Sequence, residues 1–182
     1  MMGAMTPVTT PTPGSPLMGP DGDGISPSVF PGCRAVVLAC TDVRFVEPLR
    51  SLLGSQGLAG DYDLVCWPGG ALALTTPDRP ALLDAVALAY DLHQPGELFL
   101  VVHHDCGRVG GSASFAGRQA ETATLDTALA MAAESVAERF PQLRVRLARL
   151  DLDGTRAVIN NFPGRDSPVV SLRGTALGAV RR

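Results

Sequence analysis

Short runs of consecutive apolar residues recur along the chain, and each is bounded by polar residues, glycine or proline. Such runs, rich in valine and leucine, are typical of parallel strands that are buried on both faces. They predict strands at about 34–40, 62–67 and 98–103. A fourth segment, 143–152, alternates leucine and valine with arginine, which predicts a strand with one buried face.

The segments between these strands have the spacing of helices, with apolar residues every three or four positions. We predict helices at about 45–53, from about Pro80 to the Pro95–Gly96 pair, and at about 119–140. The third helix carries the clearest apolar stripe. After the fourth strand, Asp153-Gly154 predicts a hairpin into a short strand at 157–159.

This alternation of strands and helices predicts an α/β fold. We expect a mainly parallel central sheet of four strands plus a short antiparallel edge strand, with helices on both faces. Residues 33–162 would form this folded domain. Residues 1–32 contain seven prolines and six glycines, which predicts a disordered leader, and residues 163–182 read as an irregular tail.

Composition narrows the possible functions of this 182-residue chain. The formal charge of −3 offers no basic surface for nucleic acid, so we expect no nucleic-acid partner. We also expect no membrane partner, because no apolar stretch reaches the roughly 18 residues of a membrane span. Four cysteines in a chain of this size are better explained as reduced thiols than as a disulfide framework. We therefore predict a cytoplasmic protein.

Two of the predicted strands each end in residues that bind soft metals. Cys40 ends the first strand, and His103 ends the third strand, with Cys106 three residues later. Ligand sites in parallel sheets lie beyond the carboxyl ends of the strands. Thiolate and imidazole are the ligands that Zn²⁺ prefers, and three protein ligands leave a fourth position for a water molecule that becomes acidic. We therefore predict a zinc site formed by Cys40, His103 and Cys106.

A carboxylate and an arginine follow the first of these ligands. Arg44 could hold Asp42 in a bidentate pair, and Asp42 could then orient a metal-bound hydroxide. Two alternatives stay open: Asp42 could bind the metal itself, or the pair could simply stabilise a turn. Gly69 and Gly70, after the second strand, could form a turn or offer backbone amides to an anionic product.

The motifs Cys40-x-Asp42-x-Arg44, Gly69-Gly70 and His103-x-x-Cys106-Gly107 together resemble those of the β-class carbonic anhydrases, over about residues 34–107. The resemblance implies zinc-dependent, reversible hydration of carbon dioxide to bicarbonate by a metal-bound hydroxide. It implies Cys40, His103 and Cys106 as zinc ligands and Asp42–Arg44 as the catalytic dyad. It also implies a homodimer or a higher homo-oligomer.

Two other functions are compatible with the same residues. Some proteins similar to this family hydrolyse carbonyl sulfide or carbon disulfide at such a zinc site. A non-catalytic, zinc-stabilised interaction protein is the third possibility, because residues 1–32 cannot form the helical arm that is usual in the family.

The other histidines and cysteines have simpler interpretations. We expect Cys33 and Cys66 to be small buried hydrophobic residues, and His93 to cap the end of a helix. We expect His104 to be a hydrogen-bonding structural residue and Asp105 to accept hydrogen bonds. Phe45 and Trp67 are candidates for a substrate pocket.

Overall fold

The computed structural model describes residues 31–151 continuously, together with the backbone of two further strands at 158–161 and 170–171. The strands are β1 Ala35–Cys40, β2 Tyr62–Trp67, β3 Glu97–His103, β4 Arg144–Leu150, β5 Val158–Asn161 and β6 Val170–Ser171. The helices of the described part are α1 Val46–Ser55, α2 Arg79–His93 and α3 Arg118–Arg139.

The six strands form one sheet in the order β2-β1-β3-β4-β5-β6. The first four are parallel, whereas β5 pairs antiparallel with β4, and β6 pairs antiparallel with β5. The predicted α/β class and the four-stranded parallel core are therefore confirmed. Two antiparallel strands are present where the sequence predicted one, and β5 is not the edge strand because β6 pairs beyond it.

Parts of the predicted organisation lie outside the described residues. They are residues 1–30 of the predicted leader, the Asp153-Gly154 turn, and most of the predicted tail. β6 falls within that tail segment.

The sheet is covered by helices on both faces, as predicted. All seven residues of β3 are buried, and so are the first five residues of β1. Val36 and Leu38 face a core shared with α2 and α3, whereas Val37 and Ala39 face a smaller core shared with α1. Successive residues thus point to opposite faces, which is why β1 and the inner residues of β3 are apolar at consecutive positions.

A short 3-10 helix at Gly70–Thr75 was not predicted from the sequence. Its first five residues are all buried, and it belongs to the same core as α2 and α3. Because its first five residues carry no polar side chain and it is only six residues long, it has no helical periodicity to detect.

The chain order creates a crevice at the carboxyl ends of β1 and β3. From β1 the chain goes outward through α1 to β2, and then returns through α2 on the other face to β3. Such a switch in strand order is where parallel sheets bind ligands. Within the described residues, no helix has the length and apolar character needed to cross a membrane.

Candidate metal centre

The three predicted metal ligands meet in this crevice. Cys40 is the last residue of β1, His103 is the last residue of β3, and Cys106 lies on the turn that follows. One donor atom from each residue lies within 4.8 Å of the other two. His103 and Cys106 are almost completely buried, and Cys40 is partly buried. Residues distant in sequence are thus brought close enough to share one ion.

The His103 ring is held in the form that binds a metal. Its Nδ1 lies 2.7 Å from the carbonyl oxygen of His104, and since a carbonyl only accepts, Nδ1 must carry the proton. The lone pair is then on Nε2, which is buried and has no hydrogen-bond partner among the described residues. Burial also lowers the pKa of His103, which favours the neutral ring. Phe45 stacks on the ring, with 4.0 Å between the centroids.

Whether a metal fits here can be judged from His103 Nε2, which has no hydrogen-bond partner in the described part of the chain although two cysteine sulfur atoms lie nearby. Buried polar atoms are normally satisfied, and an ion at this position would satisfy Nε2. Two thiolates would balance the charge of a divalent cation, and a set of two sulfur atoms and one nitrogen is typical of zinc. The donor set therefore fits Zn²⁺.

Each thiol also has a backbone N–H directed at it. The amide of Gly69 donates to Cys40 Sγ at 3.2 Å, and the amide of Arg108 donates to the Cys106 sulfur. Burial nevertheless raises the pKa of the Cys106 thiol to about 11, and Cys40 adds to this effect. A metal binding here must therefore displace a proton from Cys106 at neutral pH.

Asp42 and Arg44 form a bidentate pair beside the three donors. Asp42 caps the 3-10 turn Val43–Phe45 by accepting a hydrogen bond from the Arg44 backbone at 3.0 Å. Arg44 Nε donates to both carboxylate oxygens at 3.0 and 3.1 Å, and Nη2 donates to Oδ2 at 2.6 Å. Arg44 thereby lowers the pKa of Asp42 to about 2, so this carboxylate is ionised at neutral pH. Asp42 does not belong to the three-donor cluster in the described residues.

Arg44 also binds the turn that carries Cys106. Its Nη1 donates to Asp105 Oδ2 at 2.7 Å, and its Nη2 donates to the Asp105 carbonyl at 2.9 Å. Asp105 has a positive φ of 54° and also accepts a hydrogen bond from the Ser112 amide at 2.9 Å. The predicted role of Asp105 as an acceptor is confirmed.

Glu121 supports the same turn and was not identified from the sequence. It lies in the first turn of α3 and is 2% exposed. Its carboxylate accepts hydrogen bonds from the Asp105 amide at 2.6 Å and from Ser112 Oγ at 2.8 Å. A glutamate in the first turn of a helix is common for electrostatic reasons alone, so the sequence contains no signal of this role.

The two glycines after β2 pack closely against the ligands. A Cβ on Gly70 would lie 2.7 Å from both the Cys40 nitrogen and the Val101 oxygen, and its φ is +55°. Gly69 has a φ of +90°, and a Cβ there would lie 2.8 Å from Arg108 Cγ. Both positions thus require glycine for packing and conformation. Their contact with a substrate stays a prediction.

A small pocket of about 130 Å³ adjoins Cys40 and His103. Its lining is mostly apolar and includes Ala39, Phe45 and Val101. Phe45 therefore lines this pocket, and its contact with a substrate stays a prediction. Trp67 is not part of this lining; its ring nitrogen donates to Asp78 at 3.4 Å.

His104 has the structural role predicted for it. Its Nε2 lies 2.9 Å from Thr122 Oγ1, and its Nδ1 lies 2.5 Å from an oxygen of Asp151. Arg118 contacts the same Asp151 oxygen. His104 therefore anchors the turn after β3 to α3 and to the end of β4.

Comparisons with known proteins give distant matches. No protein-family model matches the chain. An uncharacterized protein of Rickettsia bellii (strain RML369-C) is 28% identical over 126 residues, which cover 65% of this chain and 77% of that protein. The uncharacterized protein RC0076 of Rickettsia conorii (strain ATCC VR-613 / Malish 7) is 27% identical over 135 residues, covering 70% and 73%.

The similar solved structures include β-carbonic anhydrases from three organisms. β-Carbonic anhydrase isoform I of Trichomonas vaginalis has a TM-score of 0.47 and 13% identity, and the match covers 79% of this chain and 84% of that chain. The β-carbonic anhydrase CafA of Aspergillus fumigatus has a TM-score of 0.46 and 15% identity, with coverage of 77% of this chain and 80% of that chain. For tetrameric β-carbonic anhydrases of Sordaria macrospora the TM-score is 0.41 and the identity 17%, with coverage of 76% of this chain and 84% of that chain.

Proposed function

We propose that this protein catalyses the zinc-dependent, reversible hydration of carbon dioxide to bicarbonate. The observation that carries the proposal is the convergence of Cys40, His103 and Cys106, with the unpartnered Nε2 of His103, beside a carboxylate clamped by Arg44. The sequence motifs that resemble those of β-class carbonic anhydrases support the same activity.

In this proposal Cys40, His103 and Cys106 hold Zn²⁺. When bound, the ion supplies Lewis-acid activation of water by bringing the pKa of a coordinated water toward neutrality. Two thiolates reduce the positive charge at the centre, so we expect this activation to be weaker than at a site of three histidines. The backbone amides of Gly69 and Arg108 partly offset the thiolate charge.

Asp42 is proposed to accept a hydrogen bond from the reacting water and so direct its lone pair toward the substrate. Its pKa of about 2 keeps it an acceptor, because it is too weak a base to remove the proton itself. Arg44 fixes the plane of the carboxylate through bonds to both oxygens. These bonds oppose rotation of Asp42 onto the metal, which favours a catalytic dyad over a closed, four-ligand site.

The substrate proposed for the pocket is a small, apolar, linear molecule. A volume of about 130 Å³ and a mostly apolar lining suit a molecule as small as carbon dioxide. Carbonyl sulfide and carbon disulfide have the same shape, so the assay must include them. The product bicarbonate is an anion, and the amides at Gly69 and Gly70 are proposed to lie near it.

The test is stopped-flow hydration of carbon dioxide by the zinc-loaded protein between pH 6.5 and 9, with parallel assays of carbonyl sulfide and carbon disulfide hydrolysis. Asp42→Asn should retain zinc but lose about 10²-fold or more in rate. Asp91→Asn, an exposed change on α2, is the matched control and should leave the rate unchanged. Full activity in Asp42→Asn would refute its role. A zinc-loaded protein inactive on all three gases would instead indicate a zinc-stabilised interaction protein.

We further propose a homodimer or higher homo-oligomer located in the cytoplasm. β2 lies at one edge of the sheet, and the nearby apolar side chains of Val46 and Leu64 are 55% and 47% exposed. Both residues line the pocket, so a second subunit covering them would also shield the site from water. Light scattering of the purified protein tests the oligomer, and a monomeric mass at micromolar concentration would contradict it.

A further inference from the structure

A second group of side chains of metal-binding type lies at the amino-terminal ends of the parallel strands, opposite to the carboxyl ends that carry the first group. Cys33 lies two residues before the first residue of β1, Asp63 is the second residue of β2, and His93 is the last residue of α2. One donor atom from each lies within 4.8 Å of the other two. None of the three takes part in the centre at the carboxyl ends.

Backbone hydrogen bonds fix the geometry of this group independently of any ligand. The Cys33 amide donates to the His93 carbonyl at 3.2 Å, which ties the segment before β1 to the end of α2. The Arg34 amide donates to the Asp61 side chain at 2.9 Å, which ties the same segment to the residues before β2. The Glu97 amide, at the start of β3, donates to the Arg34 carbonyl at 3.2 Å. Cys33 is therefore held between α2 and β2.

The charges of the three side chains suit a divalent cation. The Nδ1 atom of His93 contacts an oxygen of Asp63, and the Cys33 thiol donates to the Ala35 carbonyl at 3.3 Å. Burial and the Asp63 charge raise the pKa of the Cys33 thiol, so a cation binding there would displace its proton at neutral pH. A thiolate and a carboxylate together would neutralise a divalent ion. His93 also lies at the carboxyl end of α2, where the helix dipole favours a cation.

The group is accessible from solvent. The side chains of His93 and Asp63 are 20% and 28% exposed, and Cys33 is partly buried. An ion could therefore enter and complete its coordination with water. A set of one sulfur, one nitrogen and one carboxylate oxygen matches the ligands of Zn²⁺ better than those of Mg²⁺ or Ca²⁺.

We propose that Cys33, Asp63 and His93 form a second binding site for zinc or a similar borderline-soft divalent cation. This site would link three segments of the chain, namely the approach to β1, the start of β2 and the end of α2. Its role would be structural, since the amino-terminal ends of the parallel strands lie away from the pocket and from the Asp42–Arg44 pair.

The experiment measures zinc bound to the full-length, metal-stripped protein by equilibrium dialysis against zinc alone, followed by elemental analysis. The wild type should bind two ions per chain, and Cys33→Ser and His93→Gln should each bind one. Cys66→Ser, the same chemical change at a cysteine outside both groups, is the control and should still bind two. Circular dichroism confirms that each variant is folded.

Cys106→Ser separates this proposal from the proposed function. That variant should retain one zinc ion, which the double variant Cys33→Ser/Cys106→Ser should lose. Added zinc should raise the melting temperature of Cys106→Ser and leave that of the double variant unchanged. Equal zinc content in wild type and folded Cys33→Ser would refute the second site. Equal content in wild type and Cys106→Ser would instead contradict the first centre and leave the second unaffected.

Discussion

Gly70→Ala should destabilise the protein strongly, because two separate penalties coincide at this position. The backbone has a φ of +55°, which costs a residue with a Cβ about 1–2 kcal/mol. The added methyl group would also lie 2.7 Å from the Cys40 nitrogen and the Val101 oxygen, and 2.9 Å from the Ala39 carbonyl carbon. All three atoms are main-chain atoms of central strands, so they cannot move aside easily.

Overpacking of this kind typically costs about 1–3 kcal/mol, so with the conformational penalty the total loss should be about 2–5 kcal/mol. That is a large part of the roughly 5–15 kcal/mol by which a domain is stable. The assay is urea unfolding of the metal-free protein, monitored by circular dichroism. The free energies of unfolding are compared with a common m value, the slope of the free energy against urea concentration.

Two other glycines provide matched controls. Gly60 also has a positive φ, of +74°, but no atom lies within 4 Å of a Cβ placed there, so Gly60→Ala measures the conformational penalty alone. Gly96 has open space and no positive φ, so Gly96→Ala should be close to neutral. If Gly70→Ala cost no more than Gly60→Ala, the close approach to β1 and β3 would not constrain this position, and the reasoning would fail.

Three further predictions concern the groups around the candidate metal centre. Glu121→Ala removes the acceptor of the partly buried Asp105 amide and should cost about 1–3 kcal/mol of stability in urea unfolding. Glu134→Ala, exposed on the same helix, should cost less than about 0.5 kcal/mol, and equal losses would contradict the role of Glu121. Arg44→Lys should retain zinc but lose about 10²-fold in hydration rate, because one ammonium group cannot make the guanidinium hydrogen bonds to both Asp42 and Asp105. An unchanged rate would show that these paired hydrogen bonds are dispensable. Because the folded state holds the pKa of Asp42 at about 2, below its ordinary value, the stabilisation from Asp42 is complete above about pH 4 and is lost as the pH falls toward 2. The stability difference between metal-free wild type and Asp42→Asn should therefore shrink over that range, and a difference independent of pH would argue against the ion pair.

The features that could be predicted from sequence are those in which local pattern and burial agree. β1 and the inner residues of β3 are consecutively apolar because both faces of the sheet are covered, and α3 carries a stripe that faces the sheet. The convergence of Cys40, His103 and Cys106 followed from placing each at a strand end and assuming that the first and third strands are neighbours. That assumption is confirmed by the pairing of β1 with β3.

The features that could not be predicted depend on contacts between distant residues. Glu121 reaches Asp105 across 16 positions, and nothing in the sequence around either residue indicates the contact. Cys33 and His93 each have a simple local explanation, as a small buried residue and as a helix cap. Their approach to Asp63 arises because β1 lies between β2 and β3, so three elements meet at the starts of the strands.

The sheet itself explains why the three proposed ligands can lie around an opening between two adjacent strands. Parallel neighbours lie about 4.8 Å apart and leave no room for a metal between them. The pairing of β1 with β3 ends at Leu38 and Leu100, before either strand is complete. On their outer sides both strands stay paired, β1 with β2 up to Cys40 and β3 with β4 up to His103.

β1 and β3 therefore separate from each other while each is held by its outer neighbour. Gly70 lies at this point of separation, against the Cys40 nitrogen and the Val101 oxygen. Beyond it, Arg44 closes the gap again by binding Asp42 on one side and Asp105 on the other. The lack of a side chain at Gly70 allows the close approach to both strands, and Arg44 fixes the distance between the turns that carry Asp42 and Asp105. The spacing of the donor atoms therefore depends on both residues, although neither is a proposed ligand.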